Sequence, residues 1–362
     1  MRLSDLGWTD SFESGFTPHL SNDRLPARVA RADRELYQVL LDAAAPPVRA
    51  EVSGRLRHEA HGPADYPAVG DWVAITPPAG GTAIIHAVLP RATVFARKAP
   101  GRETVEQVVA ANVDTVFLVG GLDGDFNPRR IERYLVAARE SGAAPVVVLN
   151  KADVLLAQSP AAFAVRLAEV EEIAGGAPVH AVSALAGDGL EPLAAYLGHG
   201  RTVALLGSSG VGKSTLVNAL AGAAVQATGA ARESDGRGRH TTTHRELVRL
   251  GGGAWLIDTP GMRELALWGG DEGVSSTFAD LAALAGRCRF GDCAHDTEPG
   301  CAVQAALASD ELTEERYASW RKLEREARAF AARHDKALQA KERARWRAIT
   351  KSVRDRPAKG AR

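Results

Sequence analysis

Polar and apolar residues alternate in short runs between Ala27 and Ala99. Val48-Arg-Ala-Glu-Val-Ser-Gly-Arg-Leu-Arg57 places apolar side chains at every second position over most of its length, as a strand with one buried face requires. Further β-rich runs at Asp71–Thr76, Thr82–Leu89 and Thr93–Arg97 are separated by Pro and Gly turns such as Pro77-Pro78-Ala79-Gly80-Gly81. Several short strands in so small a span predict a compact barrel, and both an OB-fold and an SH3-like barrel satisfy the pattern. Before it, residues 1–26 scatter Gly, Ser, Asp and Pro among few apolar residues, so this stretch is expected to be a flexible extension.

Beyond Gly101 the rhythm changes to strand, helix, strand. Continuous apolar runs at Thr115–Val119, Pro145–Leu149, Pro178–Val182, Val203–Leu206 and Ala254–Ile257 alternate with Ala- and Leu-rich stretches, the pattern of a parallel sheet covered on both faces. Past Ala266 come an Ala-rich stretch, a cluster of Cys and His, and a helical repeat of Tyr317, Trp320, Leu323, Ala327, Phe330 and Leu338. Thr313, Glu314 and Glu315 suit that helix's start. The expected organisation is therefore a multidomain chain: extension 1–26, β-barrel 27–100, α/β unit 101–266, and a helical unit with a basic tail at 267–362.

The composition is that of a globular protein, with 45% apolar and 24% charged residues. No apolar run approaches the roughly 18 residues that span a bilayer, and the N-terminus lacks a basic region followed by an apolar one. A cytoplasmic location without a membrane partner is expected, and nothing in the sequence calls for an obligate oligomer, so a monomer is expected. The net charge of zero hides a division: residues 321–362 carry 15 Lys and Arg against 5 Asp and Glu, and the rest 29 against 39. A basic tail on an acidic body suits either a polyanionic partner such as RNA or a solvated helix face.

Gly207-Ser208-Ser209-Gly210-Val211-Gly212-Lys213-Ser214-Thr215 satisfies GxxxxGK[ST], with the strand TVALL before it and the helical TLVNAL after it. Its glycines let the backbone wrap a phosphate, and the helix start directs free N–H groups at the anion. Lys213 is expected to reach the β- and γ-phosphates and Ser214 to ligate Mg²⁺. Asp258-Thr-Pro-Gly261, after the strand AWLI, places a carboxylate where it can hold the magnesium shell and an N–H of Gly261 near a γ-phosphate. Between them, Ser234-Asp-Gly-Arg-Gly-Arg-His-Thr-Thr-Thr-His244 reads as a loop that γ-phosphate and Mg²⁺ could order, with Thr241, Thr242 or Thr243 as the sensing hydroxyl.

Asn150-Lys151-Ala152-Asp153 follows the strand VVVL. The Asp153 carboxylate matches the ring N–H and exocyclic amine of guanine, and adenine offers no such donor pair. Ser183-Ala184-Leu185, after PVHAV, reads as the accompanying base loop. The base reader thus precedes the phosphate loop in the chain, the order of a circularly permuted GTPase. Such loops meet at the C-terminal edge of a sheet, so the chain can start at a different strand without losing the site. Permutation also connects the Asp258–Gly261 loop directly to the Cys/His region.

All three cysteines lie in Cys288-x4-Cys293-x-His295-x5-Cys301. Three thiolates and one imidazole complete a closed tetrahedral shell, the usual structural Zn²⁺ arrangement.

Taken together, NKAD before GSSGVGKST, then GRHTTT, DTPG followed by Met-Arg-Glu, and CRFGDCAHDTEPGCAV resemble the ribosome small subunit-dependent GTPase A proteins of bacteria, over nearly the whole chain from about Ala27. The resemblance implies an N-terminal OB-fold, a permuted P-loop GTPase and a C-terminal zinc domain. It also implies GTP hydrolysis stimulated by the small (30S) ribosomal subunit during its late maturation, with the barrel and zinc domain contacting 16S rRNA.

In Ras-type enzymes the residue after DxxG is a glutamine that orients the attacking water; here it is Met262. Slow intrinsic hydrolysis is expected, with His240 a candidate for the missing role, although a loop histidine can equally bind backbone or RNA phosphate. Two other functions fit less of the sequence: a permuted GTPase acting on the large subunit, and an RNA-binding scaffold in which GTP is a structural ligand.

Overall fold

The computed structural model describes residues 2–33, 36–78, 80–98, 106–222, 245–258 and 271–331. Among them, strands β1 Leu25–Asp33, β2 Leu36–Leu40, β3 Val48–Val52, β4 Trp72–Thr76 and β5 Ala83–Val88 close into a barrel in the order β1-β2-β3-β5-β4, with β4 returning to β1. This is the five-stranded OB arrangement. Its interior is filled by Val29, Tyr37, Val39, Val52, Val73, Ile75 and Ile85. Strand β3 ends at Val52, short of the expected Arg57: the Ser53 hydroxyl accepts from the Leu56 amide at 3.1 Å and starts a helix over Gly54–Glu59. A Ser-Gly pair that can cap a helix overrides the alternating pattern after it.

Residues 2–22 are helical rather than an irregular arm. A 3-10 turn over Leu3–Leu6 leads to a helix at Asp10–Phe16 and a second 3-10 turn at Thr17–Asn22. Leu6, Phe12 and Phe16 are buried, and Trp8 meets Trp72 of β4 edge-on with centroids 4.6 Å apart. Aromatic burial on the barrel, invisible to local periodicity, orders this segment.

Strand β6 Val94–Lys98 leaves the barrel and pairs with β7 Glu106–Ala111 in a separate two-stranded sheet. That hairpin straddles Gly101, where the change from barrel to α/β unit was expected.

The five apolar runs after it are strands: β8 Thr115–Gly121, β9 Ala144–Asn150, β10 Val179–Ala181, β11 Thr202–Gly207 and β13 Trp255–Asp258. They lie side by side as β10-β9-β8-β11-β13, all parallel. Successive side chains alternate between two cores. Val116, Leu118, Val147 and Leu149 face one, with Ile131 and Leu135 of helix Pro128–Ser141. Phe117, Val119, Val146 and Val148 face the other, with Leu216 and Val217 of helix Lys213–Ala221. Both faces are thus dry, as the unbroken apolar runs demand.

Strand β12 Glu246–Arg249 was not anticipated. It pairs antiparallel with β13 and, through Glu246 and Arg31, with β1 of the barrel. One hydrogen-bonded sheet of eleven strands therefore runs from the α/β unit into the barrel. The junction is riveted by Arg28, 1% exposed. Its guanidinium donates to the carbonyls of Leu6, Gly70 and Asn112 and to the Thr202 hydroxyl at the start of β11. Burial pulls its pKa down to about 10, against the opposing pull of Asp114 and Asp71.

Helix Pro128–Ser141 is sandwiched. Its Val136 and Ala137 face away from the sheet into a third core formed by the C-terminal unit, with Val274, Phe278, Leu281, Trp320, Leu323 and Ala327. That unit comprises helices Asp271–Thr277, Ala279–Ala285, Ala302–Ala308 and residues 314–331. The last helix starts as expected, with the Thr313 hydroxyl accepting from the Arg316 amide. A Cβ on Gly273 would lie 2.9 Å from the Val136 carbonyl, so glycine allows the two helices to touch. A polar knot completes the joint. The Glu132 side chain, 0% exposed, accepts from Arg129, Ser319 and Arg316, and Arg316 grips both oxygens of Asp280 at 2.7 Å. Leu338 and the basic tail past residue 331 lie outside the described residues.

Among the described residues, no helix is long and apolar enough to cross a membrane.

Candidate functional site

Three of the expected loops meet at one edge of the parallel sheet. Gly207 ends β11, the phosphate loop runs through Ser208, Ser209, Gly210, Val211 and Gly212, and helix Lys213–Ala221 opens with Lys213, Ser214 and Thr215. Gly210 and Gly212 have φ of 78° and 94°, conformations that side chains rarely adopt. A Cβ on Gly212 would come within 2.3 Å of the Asn150 side-chain nitrogen, so glycine there lets the base loop approach. The Lys213 ammonium is held against the carbonyls of Gly207 at 2.8 Å and Ser208 at 2.6 Å.

Asn150 joins the loops. It is 3% exposed at the end of β9. Its Nδ2 donates to the Val211 carbonyl at 2.9 Å, and its Oδ1 accepts from the Ala184 amide at 2.9 Å. The residue expected to contact the base thus also pins the phosphate loop to the Ser183–Leu185 loop. Lys151 has φ of 64°, which turns its Nζ onto the Gly210 carbonyl at 2.8 Å. Ala152 is buried, and Asp153 sits half-buried in the first turn of helix Ala152–Gln158. Ser183 is buried, its amide bound to the Asp188 carbonyl, while Leu185 is 87% exposed beside the base loop.

The sequence reading missed two acids. Asp123 and Asp125 stand just after β8 on the same edge. Asp123 pairs with Lys151 at 2.6 Å. Partial burial raises its carboxyl, but Lys151 and the Asp125 amide outweigh this and hold it below the usual carboxylate range. Asp125 accepts from Arg130 at 2.7 Å and from the Ser208 hydroxyl, and these bonds keep it ionised below the usual range. A Gly-rich strand exit bearing two acids, Gly120-Gly121-Leu122-Asp123-Gly124-Asp125, was the available signal.

Asp258 closes β13, with its backbone registered opposite Glu246. Gly261, Met262, His240, Thr241, Thr242 and Thr243 lie outside the described residues.

The four expected metal ligands converge. Their donor atoms lie within 4.8 Å of one another. Sγ of Cys288 and Cys301 are 3.9 Å apart, and Nδ1 of His295 lies 3.5 and 3.6 Å from them. Zinc–sulfur bonds of about 2.3 Å and zinc–nitrogen bonds of about 2.0 Å in a tetrahedron require edges close to these, so the donor set fits Zn²⁺. The cluster is supported from behind. The His295 carbonyl accepts from Gln304 Nε2 at 2.6 Å and the Tyr317 hydroxyl at 2.8 Å, and its ring packs against Trp320.

Comparison with known proteins is consistent along the chain. The sequence model of the RsgA GTPase family matches residues 88–268. A protein of Opitutus terrae named small ribosomal subunit biogenesis GTPase RsgA is 52% identical over 98% of this chain and 98% of its own. One of the same name from Syntrophotalea carbinolica is 46% identical over 96% of each. Among solved structures, YjeQ from Thermotoga maritima superposes with a TM-score of 0.62 at 28% identity, covering 84% of this chain and 98% of its own. YloQ, described as a circularly permuted GTPase, superposes with a TM-score of 0.61 at 22% identity, covering 86% and 97%, and shares the fold.

Proposed function

Because this chain belongs to the RsgA GTPase family and is a GTPase of ribosome biogenesis, we propose that it binds the small ribosomal subunit late in that subunit's maturation and hydrolyses GTP there. The observation that carries the reading is near-full-length likeness to proteins named for that role, which spans the barrel and the Cys/His unit as well as the nucleotide loops. In this reading the barrel, about 27–100, and the helical zinc unit, 267–362, contact 16S rRNA, and the basic tail adds charge attraction to phosphate. The protein acts as a monomer in the cytoplasm.

In the α/β unit, about 101–266, Asp153 reads guanine, the Gly207–Gly212 amides cradle the phosphates, and Lys213 reaches the β- and γ-phosphates. Ser214 and Asp258 offer the hard oxygen donors that Mg²⁺ prefers, and the ion when bound neutralises phosphate charge. One of Thr241, Thr242 and Thr243 senses that ion, and Gly261 faces the γ-phosphate. With Met262 where a water-orienting glutamine would stand, intrinsic hydrolysis is slow, and docking on the subunit brings His240 to the water. Cys288, Cys293, His295 and Cys301 hold one structural Zn²⁺.

Cosedimentation of the protein with separated small and large subunits, in the presence of a non-hydrolysable GTP analogue, tests the partner. Binding to the small subunit alone supports the reading; binding to the large subunit alone overturns it.

A further inference from the structure

Lys213 must point at the phosphates before it can act on them, and its contacts within the loop bear on that direction. Its ammonium rests on the Gly207 and Ser208 carbonyls at 2.8 and 2.6 Å. Ser208 is in turn gripped from outside the phosphate loop: its hydroxyl donates to Oδ2 of Asp125, and the same oxygen accepts from Arg130 Nη1 at 2.7 Å.

We propose that Asp125 is a positioning residue for GTP hydrolysis, which fixes Ser208 against Arg130 and through the Ser208 carbonyl sets the direction of Lys213. The Arg130 end is rigid for two reasons. Asn127 caps the helix by accepting from the Arg130 amide at 3.0 Å. Two residues further on, the buried Glu132 ties the same helix to Arg316. The Asp125 and Arg130 side chains are 36% and 34% exposed, and ion pairs so close to water add little to folding. The geometry of this pair therefore bears on the loop it holds more than on stability. Asp125 stays ionised because the bonds from Arg130 and Ser208 lower its pKa, so the anchor persists through the neutral range.

The test uses the full chain without ribosomes. Asp125→Ala, Asp125→Asn, Ser208→Ala and the Asp125→Ala/Ser208→Ala double variant are compared by thermal midpoint, GTP and GDP affinity, and single-turnover hydrolysis. Asp125→Ala and Ser208→Ala are each expected to slow single turnover about tenfold, the scale of a modest misplacement of a reacting group. GTP affinity should fall more than GDP affinity, because Lys213 reaches the γ-phosphate too, with thermal midpoints near that of the parent. The double variant should lose no more than either single, since both cut one path. Asp125→Asn keeps an acceptor for Ser208 and should fall between, and it decides the matter if Asp125→Ala does not fold. Parental turnover and GTP/GDP ratio in Asp125→Asn and Asp125→Ala, a silent Ser208→Ala beside a damaged Asp125→Ala, or multiplied losses in the double variant would each overturn the proposal. The readout is the chain's own turnover, so its failure leaves the small-subunit reading untouched, and the reverse holds.

Discussion

Asn150 Nδ2 donates to the Val211 carbonyl at 2.9 Å across 61 residues of chain, and this bond makes the base loop and the phosphate loop one object. Through its Oδ1 the same side chain holds the Ala184 amide. Replacing it with alanine leaves a buried carbonyl and a buried amide without partners, at about 1–3 kcal/mol each. Asn150→Ala is therefore expected to weaken both GDP and GTP binding at least tenfold, measured by titration with a fluorescent guanine nucleotide. Affinity equal to the parent's would show that the loops are held by other means.

Guanine preference is proposed to rest on a different residue, Asp153. Asp153→Asn should lose affinity for guanine nucleotides and gain it for xanthosine nucleotides, because the amide can donate to the xanthine oxygen that replaces the amine. Competition binding with both nucleotides reads this directly, and an unchanged guanine preference would remove Asp153 from the base site.

The joint between helix Pro128–Ser141 and the C-terminal unit turns on Glu132 and Arg316. Arg316→Met strips a buried carboxylate of one of its donors and is expected to cost about 3 kcal/mol in unfolding free energy. The Asp280 arm of the knot is acid-sensitive. Partial burial raises the Asp280 carboxyl, but bidentate pairing with Arg316 outweighs this and leaves it below its ordinary value. A lowered folded-state pKa adds stability that is present above the unfolded value of about 3.9 and is lost as pH falls through the folded one. Asp280→Asn should therefore flatten the acid limb of denaturation monitored by circular dichroism, while matching parental behaviour there would assign that limb to other carboxylates.

Metal binding and folding should be linked in the C-terminal unit. Cys301 lies in the core with Trp320 and also caps helix Ala302–Ala308, accepting from the Gln304 amide at 3.4 Å. The parent should contain one zinc per chain. Cys301→Ser should lose it and open residues 302–331 to hydrogen exchange, since metal affinity in such units is folding free energy. Full zinc occupancy or unchanged protection in the variant would contradict this.

How much was legible in the sequence follows from where the driving forces lie. Strands β8, β9 and β11 were readable because both faces are buried, so their apolar runs are unbroken, and the loops at their ends carry their own chemistry. Strand β12 was not, since of its four residues only Leu247 is buried and one of its two partners, β1, lies far off in the chain. The helices of residues 2–22 were missed because Phe12 and Phe16 find their apolar surroundings on the barrel. Asp125 escaped notice because its meaning depends on Ser208, 83 residues away.

The most direct measurement is GTP turnover by the purified protein, alone and with small or large ribosomal subunits added separately. Slow turnover alone, strongly stimulated by the small subunit and lost in His240→Ala without loss of GTP binding, is the expected result. Stimulation by the large subunit instead, or by neither, would contradict the account.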